Sequence, residues 1–329
     1  MSVHEWLSVL RQEYLQGFIQ NGGAAVKFVV PQGDTERQQV LDQLSSACRE
    51  DNYLVVSIDS ATTRLHLVDK LFHDIAKQIC WDDLAYNFLC TMLLESHYLV
   101  PADREEFNIG QIAYLNGLDL GEMRAIINNR LREHLMRDYA MTQEFRTAML
   151  KLCQAQLDPH DLGFGVTEAI KEWLRGELQL ISALRSASIF QKVGRHNGRE
   201  LLSSLAHWLK ITGRSGLVLT LDIAQFMEYK RPTAPDTALF YTSGAVVDGY
   251  EVLRQFIDST DELRYCLIVV LAPPSFLTDE QRGVRKYDAL YFRIWDEVHD
   301  RKRINPLASL VRIARQEAPV ATEIAGRQI

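Results

Sequence analysis

The chain has 329 residues, 47% hydrophobic and 24% charged with few glycines and prolines, the balance of a folded protein large enough for two domains, or for one α/β domain with a long insertion. A formal net charge of −7 works against non-specific attraction to nucleic acid. No run approaches the ~20 apolar residues that cross a bilayer, and the opening MSVHEWLSVLRQEYL lacks a signal-peptide core, so a cytoplasmic protein with no membrane partner is expected.

In chain order, residues 1–20 read as a helix with Trp6, Leu7, Leu10, Tyr14, Leu15 and Phe18 on one face, stopped by Asn21-Gly22-Gly23. VKFVV (26–30) is a short β-branched strand. PQGDT follows, and then a helical pattern in which Val40, Leu41, Leu44, Ala47 and Cys48 share a face; YLVVSID (53–59) is the next strand. The three pieces fit one right-handed βαβ unit. From about 65 to 212 every long segment has helical periodicity, with breaks near Pro101, Gly117 to Gly121, Pro159 to Gly165 and Gly194 to Gly198. Six or seven helices are expected there, as an all-α insertion. GLVLTLD (216–222) and YCLIVVLA (265–272) are near-continuous apolar runs suited to a parallel sheet buried on both faces, with one helix near 246–259 between them. A helix near 284–300 and the run LASLVRIA (307–314) complete an α/β, P-loop-like parallel sheet of about five strands with helices on both faces. The expected division places the sheet domain in 1–64 and 213–315, the helical insertion in 65–212 and a disordered tail in 316–329.

A strand, a loop and a helix in that order can carry G-x-x-x-x-G-K-[ST], whose backbone N–H groups wrap phosphates while Lys neutralises them and Ser or Thr binds Mg²⁺. Here Val30 falls at the first glycine, Gly33 and Asp34 inside the loop, Thr35 at the second glycine, Glu36 at the lysine and Arg37 at the Ser/Thr. At an effective dielectric of ~20, a charge ~4 Å from a phosphate contributes about 4 kcal/mol, so glutamate for lysine turns attraction into comparable repulsion. The second strand motif, LVLTLD-IAQF, supplies Asp222 for a magnesium shell, but Ile223 stands where a water-orienting carboxylate is needed. An Asp at the end of a parallel strand also serves turns and caps. Nine histidines show no H-E-x-x-H or H-x-H arrangement, and five cysteines none at C-x-x-C spacing, so neither a metal site nor a disulfide framework is indicated. Residues 279–315 carry nine Lys or Arg against six Asp or Glu, a local excess of +3. That stretch is a candidate docking or nucleic-acid face, although a solvated helix surface accounts for it as well.

The order of parts resembles the ATP-binding proteins of bacterial BREX-type phage-defence islands. The resemblance rests on VKFVVPQGDTERQQVL, AIKEWLRGE (169–177), ITGRSGLVLTLDIAQFM (211–227) and RGVRKYDALYFRIWDE followed by INPLASLVRI, which together span most of 24–314. It implies that Gly33, Asp34, Thr35, Glu36 and Arg37 lie at the nucleotide loop, Asp222 at the magnesium aspartate, and Arg293 in a basic helix as a sensor or partner-contacting arginine. Trp173 and Tyr287 match its signatures, but aromatics at helical spacing are more often core. The implied function is antiphage defence beside a partner ATPase or helicase, or as a homo-oligomer. The departures at Glu36, Arg37 and Ile223 lead us to expect a non-hydrolysing scaffold without bound ATP or magnesium. The alternatives are a working ATPase using Lys27 or Arg37 on phosphate with Glu228 or Asp236 as base, and a DNA-binding module using the insertion and 279–315.

Overall fold

A computed structural model describes residues 1–158, 165–231, 233, 238–295 and 305–314. Five strands, β1 (Ala24–Pro31), β2 (Leu54–Asp59), β3 (Leu217–Asp222), β4 (Cys266–Leu271) and β5 (Leu310–Ile313), form one sheet in the order β2-β3-β4-β1-β5, parallel throughout. This is the expected P-loop-like arrangement. β3 and β4 are buried at every position, as their continuous apolar runs require of inner strands covered on both sides.

The period of two sorts the strand residues between two cores. Val26, Phe28, Val30, Val56, Ile58, Leu219, Leu221, Ile268 and Val270 point to one face, where they meet most of the helices. Val29, Val218, Leu267, Val269, Leu271, Val311 and Ile313 point to the other, where α1 (Val3–Val9), the turns after it and α2 (Asp34–Glu50) lie. Between β2 and β3 the described residues form seven α-helices: α3 (Val68–Lys77), α4 (Trp81–Glu95), α5 (Ile109–Leu115), α6 (Leu120–Leu131), α7 (Gln143–Leu157), α8 (Val166–Arg175) and α9 (Gly198–Ile211). Their apolar faces belong to the same continuous core as the first face of the sheet. β3 begins behind Gly216, at φ +150°, where a Cβ would lie 2.3 Å from the Tyr265 carbonyl oxygen, so only glycine fits there. After β3 come α10 (Ser243–Asp258), then β4, α11 (Ser275–Thr278) and α12 (Asp288–Ile294).

Two helices differ from expectation. The first is not α-helical to residue 20: α1 passes into a nine-residue π-helix, Leu10–Phe18, and a short 3₁₀ turn, Ile19–Asn21. The wider turn lets Leu10 and Leu15, five residues apart, both face the sheet, and it leaves Phe18 half exposed instead of buried. The helix expected over 284–300 is a 3₁₀ turn, Val284–Lys286, and the seven-residue α12, which ends as Trp295 turns extended. Residues 296–304, and the tail expected over 316–329, lie outside the described residues.

Lys27 is the one charged side chain that β1 sends into the second core. It is 4% exposed. Its ammonium donates to the Tyr14 hydroxyl at 2.7 Å and to the Leu307 carbonyl at 2.5 Å, and lies 4.2 Å from the centre of the Tyr14 ring. No carboxylate pairs with it among the described residues, and burial lowers its pKa to about 8. The unfolded chain, with an ordinary lysine near ~10.4, therefore binds the extra proton between those two values, and stability rises with pH across that window. Denaturant unfolding of the wild type and Lys27→Met at pH 7 and pH 9.5 isolates this group from other alkaline titrations. The wild type should gain stability relative to the variant on going to pH 9.5; parallel pH profiles would show that Lys27 keeps an ordinary pKa and stays charged in the folded protein.

Candidate functional site

The direction of the crossovers locates the site. The connection after β1 carries α2 over the second face, whereas those after β2, β3 and β4 place their helices on the first, as right-handed crossovers demand when the chain first moves outward and then returns strand by strand. Connections therefore part to opposite faces between the neighbours β1 and β4. In open parallel sheets that switch point, at the carboxyl ends of the strands, is where ligands bind. A crevice lies there, lined by Pro31, Gly33, Asp34, Arg37, Asp222 and Ala224, with Leu271 to Pro274 on its far wall.

The crevice is small, about 80 Å³, against ~300–1,000 Å³ for ordinary small-molecule sites. Its loop is shorter than the sequence alignment suggests. Val30 and Pro31, at the first two loop positions, are still strand, paired with Arg312 and Ile313 of β5. Thr35 lies in the first turn of α2, whose first residue is Asp34. Only Gln32 and Gly33 remain between strand and helix, and Gln32 N–H donates to the Ile313 carbonyl at 3.0 Å. Two residues cannot curl their N–H groups around a phosphate as the five or six of a P-loop do. Gly33 is extended (φ −157°, ψ −178°), a conformation open to any residue. Glu36 folds its carboxylate back to 3.2 Å from where a Cβ on Gly33 would stand. The open N–H groups of α2 thus meet Asp34 and Glu36 from their own first turn, which complement the helix dipole and repel a further anion.

Arg37 and Asp222 close what remains. The guanidinium of Arg37 reaches from the second turn of α2 to the Asp222 carboxylate, with both Nε and an Nη on the same oxygen. The other carboxylate oxygen accepts the Ala224 N–H at 2.9 Å. Asp222 is 6% exposed; burial raises its pKa, while the Ala224 hydrogen bond and the Arg37 charge oppose that rise. The positive charge that a magnesium ion would bring to a strand-end aspartate is supplied from within the chain. The residues present do not fit Mg-ATP: the carboxylate is engaged, the loop is short and the helix entrance is acidic. Among the described residues no group of three or more His, Cys, Asp or Glu could hold a metal.

Ile223 is fully buried in the first core, its N–H donating to the Leu271 carbonyl at 3.0 Å. The position after Asp222 therefore faces away from the crevice, and more than a change of residue type separates it from a water-orienting role. Arg293 is not at the crevice; it pairs with Asp258 of α10 at 2.5 Å and donates to the Ala289 carbonyl. Lys27 is held in the second core, Glu228 is exposed off the crevice, and Asp236 lies outside the described residues. Trp173 is core, as its spacing suggests, and Tyr287 ties α12 to α10 through Glu251. In the basic stretch Arg282 is buried and donates to the Phe226 and Tyr241 carbonyls, while Arg301, Lys302, Arg303 and Arg315 lie outside the described residues. The described part of 279–315 is not a continuous cationic face. The Ala272-Pro273-Pro274 wall was missed by sequence reasoning, although two prolines directly after an apolar strand mark where a strand must stop.

Removing the guanidinium leaves a buried carboxylate without its cation. Arg37→Ala should cost about 1–3 kcal/mol at pH 7, less than a fully buried pair because a third of the arginine is open to solvent. Without Arg37 the aspartate is pushed further up, so the deficit should shrink as pH falls toward 4 and Asp222 takes a proton. Urea unfolding of both proteins at pH 7 and pH 4.5 measures this, and a deficit that grows in acid would contradict it.

No curated protein and no solved structure matches the chain. A sequence model of the family described as "BREX system ATP-binding protein BrxC/D" matches residues 15–320, a span that takes in the crevice, all five strands and the helices between β2 and β3. With a parallel P-loop-like sheet and that match over nearly its whole length, the chain belongs to the BREX ATP-binding protein family of phage-defence systems.

Proposed function

We propose that the protein is a non-hydrolysing, ATPase-like subunit of a BREX system, acting as a scaffold or regulator that binds a partner ATPase or helicase, or a second copy of itself. The observation that carries this reading is the Arg37–Asp222 pair at the switch point, reinforced by the two-residue loop before α2. An internal cation on the aspartate at the motif's magnesium position and a carboxylate over the loop together oppose both halves of Mg-ATP. What a P-loop-like fold retains without that chemistry is a rigid sheet and the surfaces around it. Such surfaces serve recognition, as a scaffold does for sites on many folds.

Titration calorimetry with millimolar Mg-ATP should give no binding heat, and the subunit should co-purify with a protein of its own system or self-associate. A micromolar dissociation constant, or turnover abolished by Asp222→Ala, would overturn the reading. Restoring charges alone should not restore binding. Glu36→Lys with Arg37→Thr returns a lysine and a hydroxyl to their motif positions, yet Val30 and Pro31 remain in the sheet and no phosphate cradle forms. Adding Ile223→Glu should destabilise the fold by about 3 kcal/mol or more, since the side chain enters an apolar core. Micromolar affinity in the double variant would show that two loop residues suffice.

A further inference from the structure

The carboxyl end of the sheet has a second opening, on the β5 side of β1. A cleft of about 280 Å³ lies there, with Val30, Pro31, Pro274 and Leu277 supplying apolar lining and Arg312 and Ile313 of β5 forming one side. Arg312 is exposed and has no ion-pair or hydrogen-bond partner among the described residues, unlike Arg37, Arg282 and Arg293. Among the described residues β5 is also an edge strand, paired with β1 alone. Ser309 and Ile313 turn their carbonyls to Phe28 and Gln32, so the parallel ladder's alternation aims the N–H and C=O groups of Leu310 and Arg312 at the open edge. An unpaired edge, an apolar hollow and an unpartnered cation thus meet at one place.

We propose that this edge receives an extended segment of a partner protein as a sixth strand beside β5, with an apolar side chain in the cleft and a carboxylate two residues further on against Arg312. Main-chain bonds to the edge supply affinity and the pockets for alternate side chains supply selection, as in other strand-addition complexes. The inference rests on the reading of the protein as a partner-binding subunit and names the surface and the chemistry it selects. A second copy is the poorer occupant: antiparallel pairing of so short a strand with itself sets the two Arg312 guanidiniums opposite or diagonal to one another, which repels. The carboxylate-bearing segment removes that conflict.

The test uses the full chain and two fluorescein-labelled acetylated octapeptides, Ser-Val-Ile-Thr-Glu-Thr-Val-Ser and its counterpart with Lys in place of Glu, read by fluorescence anisotropy. The glutamate peptide should bind about fivefold or more tightly than the lysine peptide, Arg312→Glu should reverse the order, and N-methylation of the central threonine should abolish binding by blocking an edge hydrogen bond. Circular dichroism checks that Arg312→Glu stays folded. No binding by the glutamate peptide, equal affinities, or an order unchanged by Arg312→Glu would overturn the proposal; a variant that differs only in aggregating more readily would identify Arg312 as a guard of the edge. The two readings fail separately. If Arg312→Glu retains a co-purifying partner as well as the wild type does, and Mg-ATP gives no heat, the scaffold reading stands and this surface is wrong. If the wild type binds Mg-ATP, the scaffold reading is wrong whatever the peptides do.

Discussion

β1 is hydrogen-bonded along both edges, to β4 from Ala24 to Val29 and to β5 from Phe28 to Pro31. The two pairings overlap only at Phe28 and Val29, so β5 holds the last part of β1 in the sheet just where a P-loop would need it to leave. An added ladder bond stabilises by ~0.5–1.5 kcal/mol, and the bond from Gln32 to Ile313 extends the ladder beyond Pro31. Pulling Val30 to Gln32 into a loop would forfeit these bonds and expose Val30, which is 5% exposed. The short loop, the early start of α2 and the placement of Arg37 above the strand ends all follow from that register.

The electrostatics of the crevice agree with its backbone. An aspartate at the end of an inner strand is desolvated by the sheet and needs a cation. In a nucleotide site a metal ion meets that need, and the metal brings phosphate with it. Arg37 meets it one turn into α2, and because guanidinium is rigid and permanently charged, the cation of the pair does not titrate away. A nucleotide would have to displace an arginine already in place, bring a second cation and accept Glu36 beside its phosphates. Each requirement is unfavourable in the same direction, so their combined effect does not depend on the accuracy of any one magnitude.

The sheet was legible in the sequence because parallel strands buried on both faces are continuous apolar runs, and VKFVV, YLVVSID, GLVLTLD, YCLIVVLA and LASLVRIA all mark real strands. The bounds of the loop were not. Pro31 lacks an N–H and reads as a strand terminator, but the ladder to β5 runs past it to Gln32, whose N–H donates to the Ile313 carbonyl, a tertiary fact that no local pattern carries. The π-helix at 10–18 was hidden for a related reason: it satisfies burial at a five-residue step that a 3.6-residue template does not seek. At the site, Asp222 and Arg37 could each be picked out by motif position, yet their bond joins residues 185 apart in the chain. The motif alignment described Arg37 as a lost hydroxyl; the structure gives it a charge partner. Arg293 lies away from the crevice and pairs with Asp258 on α10, a contact that nothing near residue 293 in the sequence announces.

A ligand can shift a conformational equilibrium only by the difference in its affinity for the two states. An ATPase of this architecture uses nucleotide for that purpose, and what its partners sense is the state of the loop and of the strand ends beside it. Here the loop is held by the sheet and by Arg37, so under the scaffold reading nucleotide has no lever on the conformation. The lever that remains is protein association at the strand ends, where Pro31 and Pro274 line both the Arg37–Asp222 crevice and the β5 cleft. A strand added beside β5 would tighten the ladder that keeps Val30 and Pro31 in the sheet, and so reinforce the closed crevice rather than open it. Partner binding and a closed nucleotide site then favour the same conformation, which is the coupling a subunit needs if it is to present one fixed surface irrespective of the ATP around it.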